Sequence, residues 1–343
     1  MIKKDMEKSY ELVIYIPTYN REDKLANCLK IIADEIKGFE EKVRVFVSNN
    51  GSTDGTAKLL GNLKEKWLIK KSHPVNQEAF LNIIAAYDLP IKTKFIWTIG
   101  DDDYLLPDAI KDLLQQIQEN PDVDFIFCNT TAFPATDAIQ IMEHYLSTRQ
   151  IGSGSVKSNV FQFVEKVDFE RLIDPRIADT LLAELMVLCF RQEKFYYSYE
   201  KATELNRRLQ TRWRDEGCSL IDQGMFRQPH NLGLLASIKS STPSLYHPKP
   251  KTFNFWGSAT DWLTDYDYVF PVIMLFLINE YKNKNIIDEG KYLALLDYYF
   301  KVMQVSFIRQ KSGETPARRF SPEIKSEFFD ALFNLAQAKK TFE

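Results

Sequence analysis

Three consecutive carboxylates, Asp101-Asp102-Asp103, follow the apolar run from Phe95 to Gly100 and lie four residues ahead of Pro107. Like charges this close oppose one another's ionisation, so a fold that gathers them generally supplies something positive. Hard oxygen donors on a tight turn suit Mn²⁺ or Mg²⁺, and such a cation pairs with a polyphosphate. The plainer alternative is a solvated turn leading into a helix N-terminus.

The elements that must position these aspartates alternate between strand and helix, as in a parallel sheet with crossover helices. Leu12 to Ile16, Val43 to Val47, Trp67 to Lys70 and Phe95 to Ile99 read as strands, and Asp124 to Cys128 closes the series. Between them, Leu25, Cys28, Leu29, Ile32 and Ile36 recur at helical spacing with Asn20 as a cap. Thr53 to Trp67, Ala79 to Tyr87 and Pro107 to Gln118 read as further helices, Pro107 being suited to a first turn because its missing N–H needs no partner there. Polar residues therefore gather at three strand ends: Thr18, Tyr19 and Asn20; Asn49, Asn50 and Ser52; Asp101 to Asp103. In an open α/β sheet that edge is where ligands bind. Leu181 to Phe190 fits either strand or helix. From Asp261 onward the pattern is helical, over Tyr268 to Tyr281, Gly290 to Arg309 and Ser321 to Ala338. A boundary is expected near residue 250, after the proline-rich Tyr246 to Lys251, dividing the chain into 1–250 and 251–343.

Three segments carry a resemblance: Val13 to Arg21 (VIYIPTYNR), Val47 to Thr56 (VSNNGSTDGT) and Gly100 to Ala109 (GDDDYLLPDA). In order, each at a strand end, they are similar to the signature blocks of family 2 glycosyltransferases of the bacterial glycan-assembly type. The resemblance is close over roughly residues 10 to 130 and implies a GT-A, Rossmann-like α/β fold: a mostly parallel sheet flanked by helices, here with an added C-terminal helical region. It also implies a nucleotide-sugar donor of UDP, dTDP, GDP or CDP type, a glycan or lipid-linked acceptor, and inversion at the transferred sugar. Thr18 and Tyr19 match the loop that frames the base, and Asn20 follows them. Asn49 and Asn50 stand where the family has Asp-Asp or Asp-Asn; an amide donates as well as accepts, so the base is open. Asn76 and Asn82 match base or ribose contacts, exposed helix amides being the alternative. Alignment on Leu105 and Pro107 sets Gly100 at the first carboxylate of the DXD motif and Asp102 at the metal-contacting one, with Asp101 and Asp103 beside it.

The family's catalytic base is a carboxylate downstream of that motif, often in a Glu-Asp pair, and no such pair follows residue 103. Asp222, Glu184 and His230 are the candidates. Among leucines Glu184 would gain basicity, or it would simply pair with Arg191. His230 could equally be a structural hydrogen-bonder. Gly51 to Thr56 lacks the Gly-Lys-Ser/Thr ending of a phosphate loop, and capping of the next helix is its expected work. Arg207, Arg208, Arg212 and Arg214 suit a solvated helix, whereas Lys249, Lys251, Arg318 and Arg319 could meet phosphate-bearing acceptors or lipid headgroups. Phe253, Phe255, Trp256 and Trp262 would either pack a core or stack on sugar rings.

Composition bounds the rest. With 343 residues, 45% of them hydrophobic, the chain can bury one large core or two ordinary ones. A net charge of −3 gives no general attraction to nucleic acid. Cys28, Cys128, Cys189 and Cys218 form no CxxC pair and read as reduced thiols of a cytoplasmic protein. No apolar run follows the basic N-terminus as a signal peptide would require, and none reaches the roughly 20 residues of a transmembrane helix. Peripheral contact with the inner face of a membrane stays open. Two further readings compete with transfer: a nucleotide-sugar pyrophosphorylase, which would want a Gly-rich N-terminal loop in place of Pro17-Thr-Tyr-Asn20, and a catalytically inactive scaffold or glycan-binding relative.

Overall fold

The computed structural model describes residues 8–77, 79–151, 165–167, 188–193, 244–256, 278–279, 281–283 and 285–311. Its elements are β1 (Ser9–Thr18), α1 (Glu22–Glu35), β2 (Val43–Asn49), α2 (Thr56–Asn62), β3 (Leu68–Ser72), α3 (Ala79–Ile84) and β4 (Lys92–Thr98). They are followed by β5 (Tyr104–Leu105), α4 (Ala109–Glu119), β6 (Phe125–Pro134), α5 (Ala138–Thr148), β7 (Glu165–Val167), β8 (Leu188–Arg191), β9 (Ser244–Trp256) and α6 (Glu289–Lys311). Among the described residues one sheet runs β3-β2-β1-β4-β8-β6-β9-β5, with β7 on β9.

The expected parallel half is present: β1 pairs in parallel with β2 and β4, and β2 with β3. In β1, β2 and the C-terminal half of β4 apolar residues run nearly continuously because both faces are covered, whereas β3, at the sheet's edge, exposes its lysines. Trp97, Tyr15, Phe95, Phe125 and Phe127 are among the fully buried side chains. The run at 181–190 resolves at its C-terminal end into β8, antiparallel to both β4 and β6. A second departure is β9, which passes straight through residue 250 and so draws on both sides of the expected boundary. It pairs with β6 at Cys128↔His247, and the next paired residues are Thr130↔Thr252. The intervening residues, Pro248 and Pro250 among them, bulge past Asn129, which is how two residues without an N–H are accommodated in a strand.

Helix boundaries differ from the periodic reading in three places. Asn20 does not cap α1; it takes a left-handed φ of 52° and its side chain faces the neighbouring loop. The helix expected over Thr53 to Trp67 spans only Thr56–Asn62, ending where Gly61 and Asn62 weaken helical preference. Pro107 lies before α4, which starts at Ala109 behind a left-handed Asp108. In α6, Tyr292, Leu295, Leu296, Tyr299 and Phe300 are buried and join the same core as the sheet. The expected helix at 321–338 lies outside the described residues.

Candidate active site

Parallel pairing with Thr18↔Asn49 and Tyr15↔Thr98 in register brings the C-terminal ends of β1, β2 and β4 side by side. The loops that leave them are cross-tied by side chains. Asn20 Oδ1 accepts from the Thr53 N–H at 2.7 Å, and the Asn20 N–H donates to Ser52 Oγ at 2.9 Å. Asp54 caps two helices, accepting from the Glu22 N–H at 3.2 Å and the Thr56 N–H at 3.0 Å. The capping work expected of the Gly51 to Thr56 loop is therefore Asp54's. Gly51, at φ +70°, lies against the chain at Val75 and Asn76 so closely that a Cβ would fall 2.4 Å from the Val75 carbonyl carbon.

Behind the second loop is a buried polar network. Ser48 Oγ donates to Asn82 Oδ1 at 2.6 Å, Asn82 Nδ2 donates to the Ser48 carbonyl at 3.0 Å, and the Tyr15 hydroxyl donates to the Asn82 carbonyl at 2.5 Å. His73 Nε2 lies 3.3 Å from Ser48 Oγ, and burial, then Lys71, lowers the affinity of His73 for a proton. Asn82, expected at the ligand, is thus buried and holds α3 to β2. Asn50 Nδ2 donates to Asn76 Oδ1 at 2.9 Å while Asn50 Oδ1 accepts from the Gln77 N–H at 2.9 Å. Asn49 Oδ1 accepts from the Ser52 N–H at 3.1 Å, which shapes the turn. Tyr19 is the open member of this group, 40% exposed at the mouth of the first loop.

The three aspartates occupy three different environments. Asp101 is buried and accepts from Thr18 Oγ1 at 2.6 Å; Arg21 Nη1 is 3.4 Å from its other oxygen. Burial first, and Asp102 second, push its carboxyl from an ordinary 3.8 up to about 6 against the pull of Arg21. Asp103 is also buried and turns back on its own loop, its Oδ2 accepting from the Gly100 N–H at 2.6 Å. Below it the buried Cys28 thiol donates toward the Asp103 carbonyl at 3.7 Å, and burial together with the carboxylates raises the thiol's pKa. Asp102 is the accessible one, with 29% of its side chain exposed. Its Oδ2 accepts from Arg21 Nη1 at 2.5 Å and from Lys24 Nζ at 2.9 Å. Burial works against the charge on Arg21, but Asp102 and Asp101 outweigh it and hold its proton more firmly than usual.

Arg21 and Lys24 were not assigned a role by the sequence. No local signal marked them: Glu22 and Asp23 in the same first turn already offset two cations there, and only the packing of α1 against the aspartate loop brings Arg21 and Lys24 to Asp102. Other expectations are corrected. Lys251 meets no outside phosphate; it is buried in the fold and pairs with Asp112 at 3.0 Å. For the aromatics the core reading holds: Phe253 packs against Tyr145, with ring centroids 4.7 Å apart, and Phe255 packs against Phe133 and Phe253. Arg191 pairs with Asp124 at 3.2 Å. Asp222, Glu184 and His230 lie outside the described residues, as do Arg207, Arg208, Arg212, Arg214, Arg318, Arg319 and Trp262. A cleft of about 490 Å³ lined by Lys42, Lys94 and Lys111 sits at the opposite, N-terminal end of the strands.

Residues 13–173 match the model of glycosyl transferase family 2. Over that stretch the chain is similar to a family 2 glycosyltransferase domain. Its fold is GT-A, and solved structures show the same architecture. Staphylococcus aureus TarS 1-349 superposes with a TM-score of 0.57 at 16% identity, covering 96% of this chain and 80% of that one. A longer S. aureus TarS gives 0.59 at 16% identity over 96% of this chain and 49% of its own length. TarS 1-349 has also been solved in complex with UDP-GlcNAc, at a TM-score of 0.57, 16% identity and coverage of 96% and 81%. No curated protein matches the sequence.

The similarity to this family implies a divalent cation, and the donor set tests the fit. Among the described residues no group of three His, Cys, Asp or Glu side chains is arranged to hold a metal ion. Asp101 and Asp103, expected beside Asp102, point to Thr18 and Gly100. What the loop offers is one accessible carboxylate, which fits a cation whose remaining ligands are water and phosphate oxygens, the usual manner of Mg²⁺.

Proposed function

We propose that this glycosyltransferase moves a sugar from a nucleoside-diphosphate donor to a hydroxyl of a glycan or lipid-linked acceptor, with inversion, in the cytoplasmic assembly of a cell-surface polysaccharide. The observation that carries the reading is the convergence of Thr18, Asn50 and Asp102 on one edge of the parallel sheet, each from a different strand-end loop. The UDP-GlcNAc complex of the structurally similar TarS supports a nucleotide-sugar donor. Buried and free Cys28, Cys128 and Cys189 accord with a reducing compartment, and no described helix is long and apolar enough to cross a membrane.

Each residue then has defined work. Tyr19 offers an exposed ring to the base, and the Asn50–Asn76 pair supplies amides at the base or ribose. Thr18 fixes Asp101, and Asp101 orients Arg21. Asp102 would hold Mn²⁺ or Mg²⁺, Asp103 shaping the loop beneath it. When bound, the cation supplies neutralisation of the diphosphate oxygens as the anomeric bond breaks. Arg21 and Lys24 add positive charge where the leaving diphosphate forms. A base downstream, for which Asp222, Glu184 and His230 are the proposals, would take the acceptor's proton on the opposite face of the sugar.

The test is turnover of nucleotide sugars in the presence of Mn²⁺. Chelation with EDTA should abolish it and added Mn²⁺ restore it; turnover indifferent to EDTA would remove the metal from the proposal. Asp102→Asn should abolish metal-dependent turnover while changing stability by no more than about 1 kcal/mol, as for other exposed ion pairs. A scaffold reading has its own support, since Asp102 already carries two cations and Gly100 replaces a carboxylate. Tight nucleotide-sugar binding without hydrolysis or transfer would favour it.

A further inference from the structure

Asp102 is at once the accessible carboxylate for a cation and the anchor of two resident cations. Both Arg21 and Lys24 reach the same oxygen, Oδ2. A metal ligated by that oxygen would lie against a guanidinium and an ammonium, and two like charges would oppose its entry. The pairs are not locked in place: 40% of the Arg21 side chain and 50% of that of Lys24 is exposed. Lys24 makes its ion pair with Asp102 and with no other carboxylate among the described residues. Both cations extend from the loop and first turn that follow Thr18, so they sit on the crevice side of the sheet.

The charges couple metal to nucleotide. Asp101 and Asp102 face two resident cations, and a divalent ion added to that set overshoots neutrality unless negative charge arrives with it. A nucleoside diphosphate brings that charge on oxygens suited to both Arg and Lys. Resting on the nucleotide-sugar reading above, we propose that Arg21 and Lys24 form a latch on Asp102 that passes to the donor's diphosphate, so that the metal binds Asp102 more tightly together with the nucleotide than alone. The latch makes Arg21 and Lys24 positioning residues for the metal as well as contacts for the diphosphate. It also weakens the hold of Asp102 on free cations when no nucleotide is bound.

Two titrations by calorimetry test this on the full chain. One adds Mn²⁺ to metal-free protein; the other adds UDP, GDP, CDP or dTDP in the presence of EDTA. Removing a latch cation, as Lys24→Gln or Arg21→Gln, should tighten Mn²⁺ binding without nucleotide by about fivefold and weaken metal-free nucleotide binding by a similar factor, the scale of one half-exposed charge pair. Arg21→Lys, which keeps the charge, should leave both affinities close to the wild type. Shifts in opposite directions are a signature that a merely structural role would not give. Should Arg21→Gln fail to fold, Lys24→Gln at its exposed position carries the test. Unchanged affinities, or losses in both titrations, would overturn the latch while nucleotide binding by the wild type leaves the donor reading standing. If no nucleotide binds the wild type with or without Mn²⁺, the donor reading falls and the latch with it.

Discussion

Asp101 and Asn82 show how side chains chosen for ligand contact can instead set the conditions for it. Burial, and then the charge of Asp102, move the Asp101 carboxyl up to about 6 against the pull of Arg21 and Thr18. A carboxyl raised in the folded state stabilises the fold below its unfolded value near 4, and that contribution is lost as pH climbs through about 6. At roughly 1.4 kcal/mol per pH unit the ionised form costs on the order of 3 kcal/mol. Wild-type protein in EDTA should therefore lose stability between pH 4 and pH 7 relative to Asp101→Asn, read as the difference between their urea midpoints. Parallel curves for the two proteins would mean that Asp101 is not held in this way. Asn82 makes a different prediction. Asn82→Ala removes both side-chain hydrogen bonds to Ser48 and leaves buried polar groups without them, at a cost of about 1–3 kcal/mol. Asn76→Ala, on the open side of the Asn50 pair, should cost much less in the same denaturation experiment. The sequence alone could not separate these two asparagines, because residue type says which bonds an amide can form and burial decides which it does form.

At the scale of elements, the strand-end loops were legible where a local motif encodes them. Pro17-Thr-Tyr-Asn20, the Asn49 to Thr56 turn and the Asp101 to Pro107 segment each emerged at the end of a parallel strand. The ties between loops were not legible. Asn20 looks like a helix cap by type, yet it spends its side chain on Thr53, some thirty residues further on. Gly51 holds the second loop against Val75 and Asn76, and only its left-handed φ and the near approach of that backbone explain why no side chain is carried there. Gly51→Ala should cost about 1–3 kcal/mol from the backbone conformation alone. It should also weaken nucleotide binding by displacing Asn50 and Asn76. Stability and nucleotide affinity measured on the same variant check both; wild-type values for both would show that the close approach is dispensable.

For the molecule as a whole, periodicity served the parallel half of the sheet and, beyond β4, the strand β6 and the helices α4 and α6, but not β8 and β9. Short antiparallel β8 emerged from an apolar run that could equally have been helical, and the two prolines of β9 look like a linker until the bulge opposite Asn129 is seen. Both strands pair across long sequence separations, which no local pattern records. The result is a sheet whose parallel half presents three loops and whose other half is pinned by Phe253, Tyr145 and the buried Lys251–Asp112 pair. That architecture is shared with TarS at an identity too low to transmit the substrate, so the central claim rests on the crevice itself. Calorimetric titration of the chain with UDP-, dTDP-, GDP- and CDP-sugars in the presence of Mn²⁺ tests it most directly. At least one should bind saturably to the wild type and lose that binding in Asp102→Asn; absence of binding by all four classes to folded protein would contradict it.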